Sequence, residues 1–105
     1  GALGPGESIY SARAITPASQ VSSRYYVSLV VRDEPGVLAQ VASSFAANGI
    51  SLKAVRQDGD VVESRAHLGV MTHAATHAQL LATLADLEAM PHVEKGVKLM
   101  RVEAA

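Results

Sequence analysis

The segment Asp33-Glu34-Pro35-Gly36-Val37-Leu38 constrains this chain more than any other, because the hydrophobic period changes across it. Ahead of it, Tyr25, Val27, Leu29 and Val31 alternate with Tyr26, Ser28, Val30 and Arg32, the pattern of a strand with one apolar and one mixed face. Behind it, Leu38, Val41, Ala42 and Phe45 recur at the spacing of an amphipathic helix. Proline is at home in a first helical turn, glycine lets the backbone approach a neighbour, and an acid just ahead can accept from unpaired amides. The run predicts a strand over Tyr25–Val31, a helix over Pro35–Ala47 stopped by Asn48-Gly49, and between them a helix N-terminus open to a small polar ligand. Asp-x-Pro-Gly is equally an ordinary turn and helix-start sequence, and Asp33 reads either as a helix cap or as a ligand contact.

Further on, Ile50, Leu52 and Ala54 alternate with Ser51, Lys53 and Val55, which predicts a second strand over Ile50–Gln57. Asp58-Gly59-Asp60 then signals a turn into a third strand over Ser64–Thr72. Thr76 with Gln79 forms a capping-box signature, and Leu80, Leu81, Leu84 and Leu87 mark one face of a second helix ending before Pro91. Val93–Val102, with Val97 and Leu99 inward, supplies the last strand. The order is βαββαβ, an α+β fold of the ferredoxin-like type: a four-stranded antiparallel sheet with both helices on one face. Residues 1–23 show neither period and read as a linker or disordered leader, leaving 24–103 as the folded domain.

Composition narrows the function. A chain of 105 residues with 49% hydrophobic residues builds one small core with a modest burial margin, a setting in which a partner helps. Nine basic and ten acidic residues give a net charge of −1, with no electrostatic footprint for nucleic acid or an anionic membrane. An RNA-recognition module shares the topology, but the third strand offers Arg65, His67, Gly69 and Met71 on one face and Ala66, Leu68 and Val70 on the other, without a stacking aromatic. Cysteine is absent and the apolar runs are too short to span a bilayer, a pattern that fits a cytoplasmic protein. His73 and His77 straddle a strand exit and a helix start with no third ligand nearby, and Asp58, Asp60 and Glu63 read as a solvated hairpin tip, so no metal is expected. Neither a Gly-x-Ser-x-Gly elbow nor a Gly-rich phosphate loop after a strand occurs, so neither catalytic residues nor a cofactor are assigned. The first residue is glycine and no charged-then-apolar leader precedes the fold, which suggests a piece of something longer.

The string from Tyr25 to Leu38, with Phe45, Asn48-Gly49-Ile50-Ser51-Leu52 and Val55-Arg56-Gln57, resembles the ACT domain, a small regulatory module that binds amino acids in many biosynthetic enzymes. Within that family it is most similar to the C-terminal regulatory domain of bacterial homoserine dehydrogenase. Leu68-Gly69-Val70-Met71-Thr72-His73-Ala74 and Val97-Lys98-Leu99-Met100-Arg101-Val102-Glu103 match its later strands, and Glu7-Ser8-Ile9-Tyr10 matches its tether. The resemblance implies an NAD(P)-dependent catalytic region upstream, no activity or cofactor in this chain alone, and a homodimer that binds an amino acid, with threonine favoured as the pathway's end product. It further implies a ligand held between the loop after the first strand of one protomer and the start of the second strand of the other. By position this implicates Asp33, Gly36, Val37, Leu38, Ile50 and Ser51, with Gln57 beside them. The amides near Val37 and Leu38 would take the α-carboxylate and Asp33 the α-ammonium. Many family members carry asparagine where this chain has Asp33, and Ser51 reads equally as an outward-facing strand residue. The competing expectation is an ACT-like module that dimerises its parent and binds no ligand.

Overall fold

The computed structural model describes residues 21–104. Its elements are β1 (Ser22–Arg32), α1 (Val37–Ala47), β2 (Leu52–Val62), β3 (Arg65–Thr72), β4 (Ala75–Thr76), α2 (His77–Glu88) and β5 (Lys98–Ala104). The strands form one antiparallel sheet in which β1 is central: β3 and then β4 pair with one edge of it, β5 with the other, and β2 lies outside β3. Tyr25, Val27, Leu29 and Val31 of β1 join Ala66, Leu68 and Val70 of β3 in a core closed by Val37, Val41 and Phe45 of α1 and by Leu80 and Leu87 of α2. Both helices therefore cover the same face, and the ferredoxin-like βαββαβ arrangement expected from periodicity is present, with the two-residue β4 inserted between β3 and α2 as a fifth strand of a sheet expected to have four. Of the expected leader, residues 1–20 lie outside the described residues, while Ser22 and Ser23 belong to β1 and pair with β4 and β5.

Local chemistry explains the element ends. Thr76 caps α2 through a reciprocal box: its hydroxyl accepts from the Gln79 N–H at 3.1 Å, and the Gln79 side chain accepts from the Thr76 N–H at 2.9 Å. At the end of α1, Gly49 takes φ +76°, and the Ile50 N–H reaches back to the Phe45 carbonyl at 2.9 Å, the left-handed stop expected of Asn48-Gly49. Where the chain leaves β3 for β4, the Thr72 hydroxyl accepts from the Tyr25 N–H at 3.1 Å and bridges the break in the ladder.

Four expectations change. Helix α1 starts at Val37 rather than Pro35, so its core face is Val37, Val41 and Phe45, while Leu38 is turned to solvent. The hairpin turn is not Asp58-Gly59-Asp60. Those residues lie in β2 where its register shifts against β3, and the chain reverses at Glu63 and Ser64, both left-handed at φ 53° and 60°, as a two-residue hairpin requires. Leu81 is exposed, and Leu80 and Leu87 alone of the four leucines are fully buried. The last strand is split: Val93 makes an isolated bridge to Val31, and regular pairing resumes only at Lys98, after Gly96 at φ +94°.

Candidate functional site

The loop after β1 is held from both sides. On one side the Arg32 N–H donates to the His92 carbonyl at 2.9 Å; on the other, the Asp33 N–H donates to the Ser64 carbonyl at 2.8 Å, joining the loop to the hairpin tip. Within it, the Val37 N–H meets the Glu34 carbonyl at 3.3 Å and Gly36 lies at φ 85°, ψ −11°, the third-position geometry of a type II turn. A Cβ at Gly36 would find no heavy atom within 4 Å, so glycine is needed there for its backbone and the space beside it is open.

This turn decides which amides face outward. Gly36 is the N-cap of α1 and no side chain caps the helix, so Asp33 is not a cap. Because the Val37 N–H is taken by the turn, the N–H groups of Leu38 and Ala39 are the two within the helix left without a partner among the described residues, with that of Gly36 likewise open just ahead of them. Sequence reasoning placed this pair one residue early, since it read Pro35 as helical; a Pro-Gly turn completed before the helix was the signal that would have shifted it. The Asp33 side chain is exposed and makes no ion pair among the described residues. Charges nearby belong to the anchors: Glu34 stands 3.8 Å from Arg32 and 3.4 Å from His92, and Arg65 binds Glu94 at 2.6 Å and Glu63 at 3.3 Å. The hydrogen bond and charge of Glu94 raise the Arg65 pKa above its usual value.

The remaining residues divide by role. Val37 and Ile50 are each 3% exposed and belong to the core, so they set the path of the backbone and present no side chain to a ligand. Leu38 is 52% exposed at the helix start. Ser51 is exposed, and its carbonyl accepts from the His73 N–H at 2.9 Å, which places it at the far end of the sheet from Asp33. By the β1–β3 register His73 stands level with Arg24, so nine residues of β1 at about 3.3 Å each separate the two levels, roughly 30 Å. One copy of the chain therefore does not bring Ser51 to the loop. Gln57 lies between them on β2, an eleven-residue edge strand exposed at every position after Leu52.

On the sheet face opposite the helices, the Tyr26 hydroxyl donates to Asp58 at 3.1 Å across Gly69, where a Cβ would overlap that hydroxyl. This ties β2 to β1 over the intervening strand and holds the edge in place without covering it. No group of three His, Cys, Asp or Glu side chains among the described residues is placed to hold a metal ion. No helix among them is long and apolar enough to cross a membrane.

Comparison with known proteins agrees with this architecture. Homoserine dehydrogenase of Mycobacterium tuberculosis is 39% identical over 107 aligned residues, an alignment covering 98% of this chain and 24% of that protein. That of Corynebacterium glutamicum is 37% identical, covering 98% and 23%. The crystal structure of a homoserine dehydrogenase from Thiobacillus denitrificans superposes with a TM-score of 0.76 at 28% identity, covering 90% of this chain and 20% of that one. The chain thus spans about a quarter of the length of the curated relatives it matches. The family model for the ACT domain matches residues 25–92, from the start of the core strand to the connector beside the loop, and the chain belongs to the ACT domain family.

Proposed function

We propose that this chain is the amino-acid-sensing regulatory domain of a cytoplasmic, NAD(P)-dependent homoserine dehydrogenase-like oxidoreductase, that it works as a homodimer, and that threonine is its feedback effector. One observation carries the reading: α1 begins at a glycine turn that leaves two N–H groups and open space beside an unpaired carboxylate. The positive end of the helix dipole and the Leu38 and Ala39 amides receive an α-carboxylate. Asp33, kept clear of the helix by its backbone bond to Ser64, accepts from the α-ammonium. The nicotinamide cofactor belongs to the catalytic region and has no place in this domain.

Dimerisation completes the site. Edge strand β2 presents free backbone groups, and antiparallel pairing of two copies with Gln57 on the two-fold axis sets the partner's Ser51 opposite Glu63, the level at which the loop meets the hairpin. This brings to the loop the residue that a single copy holds about 30 Å away. An effector touching both protomers favours one dimer arrangement over another, and a coupling of about 1–3 kcal/mol is enough to change affinity or activity by roughly 5- to 150-fold.

The test is inhibition of the full-length enzyme by threonine with and without Gly36→Asp, each normalised to its own uninhibited rate. The added carboxylate fills the open space and repels the effector, so inhibition should be lost; an unaltered curve removes the loop as the effector site. Calorimetric titration of the 105-residue chain with a panel of amino acids separates the competing reading, since a dimer that takes up none of them is a dimerisation module alone.

A further inference from the structure

At the end of the sheet away from the effector loop, a cavity of about 410 Å³ opens beneath the start of α2, lined by Val21, Ser23, Tyr25, His77, Leu99 and Arg101. Its size falls within the range of about 300–1,000 Å³ common to small-molecule sites. We infer that this cavity is a second ligand site, one for a small organic monocarboxylate.

Two hydroxyls open into the cavity. Ser23 is 1% exposed and Tyr25 is 4% exposed, yet neither hydroxyl has a hydrogen-bond partner among the described residues, and both residues line the cavity. Neither oxygen is sealed from solvent, since His92 Nδ1 is the buried side-chain polar atom without a partner among the described residues, so both hydroxyls reach the cavity and are free to donate to what enters it. Alternation dictates their placement: Ser23 and Tyr25 take the core-facing positions of β1 at the point where the apolar core runs out. A structural role alone would be served as well by alanine and phenylalanine.

The surrounding charge has one sign. Arg101 makes no ion pair among the described residues, the His77 ring stands 6.5 Å from the Tyr25 ring, and the six described lining residues include no carboxylate. A guanidinium binds a carboxylate through two parallel hydrogen bonds, and both hydroxyls are able to donate to the same anion. One full positive charge matches a monoanion better than a phosphate dianion. Val21, Leu99 and the Tyr25 ring supply apolar walls for the body of the ligand. The effector loop contributes nothing to this cavity, so the two sites stand or fall separately.

Amide chemical-shift titration of the 105-residue chain with benzoate tests the assignment, with benzyl alcohol and inorganic phosphate as comparison probes. Benzoate should give saturable shifts at Ser23, His77, Leu99 and Arg101 while Asp33–Leu38 stay unmoved. Arg101→Gln, an exposed position that the fold tolerates, should weaken binding about tenfold or more, and Tyr25→Phe, which keeps the ring, about threefold. Benzyl alcohol should bind more weakly than benzoate. The inference is overturned if benzoate produces no saturable shift at these residues, if Arg101→Gln binds it equally well, or if phosphate matches it in affinity.

Discussion

The two helices of this domain begin in opposite ways. Helix α2 enters through a complete capping box, with Thr76 and Gln79 satisfying each other, and its fourth residue, Leu80, goes straight into the core. Helix α1 enters through a left-handed glycine, has no side-chain cap, leaves two amides open and turns its second residue, Leu38, to water. The same fold needs both helices equally for its core, so the difference cannot be one of packing alone. A helix start whose donors are answered from within serves stability; one whose donors are left open sacrifices a little stability and keeps chemistry available for something else.

The contrast is sharpest in the side chains. Leu80→Ala should remove about 2–5 kcal/mol of stability, because a fully buried leucine leaves a cavity that its neighbours refill only in part, whereas Leu38→Ala should stay within about 0.5 kcal/mol. Denaturant titration of both variants reads the difference directly, and equal losses would erase the distinction between the two starts. Next in size is Gly36→Ala, expected to cost about 1–2 kcal/mol purely through its left-handed backbone, since the added methyl meets no atom. A loss near zero in the same titration would show that the turn relaxes freely and that the amides are not fixed in place.

Caps give the smaller effects. Thr76→Ala should cost about 1 kcal/mol, seen as a fall in Tm of roughly 4–8 °C for a domain of this size. Asp33→Ala should leave Tm nearly unchanged, because its side chain caps nothing, and calorimetry should instead show weakened amino-acid binding. A drop in Tm equal to that of Thr76→Ala would return Asp33 to a structural role and make the two helix starts alike.

What was readable in advance follows the reach of the forces involved. The alternation of β1, the Thr76 box and the Asn48-Gly49 stop are settled within a few residues of chain, and each appears where periodicity and cap chemistry place it. The hairpin tip is different. Asp58-Gly59-Asp60 is the stronger local turn signal, yet the reversal falls at Glu63-Ser64, where Asp33 bonds the Ser64 carbonyl and Arg65 bridges Glu63 to Glu94. Those contacts come from segments distant in sequence, so no local window contains them. The candidate site splits in the same way. Its position at the Pro-Gly loop was legible, but the outward pair of amides depends on how that turn is completed, and the burial of Val37 and Ile50 depends on the finished core.

The pairing of Ser23 with Ala104 also has a mechanical side. Strands β1 and β5 run antiparallel, so the start of one and the end of the other meet at the same edge of the domain. A force pulling those two points apart loads the hydrogen bonds between β1 and β5 one after another, as in opening a zipper, and never shears the whole ladder at once. A pull across that edge therefore meets the β1–β5 bonds one at a time, beginning at Ser23 and Ala104 and away from the core around Phe45.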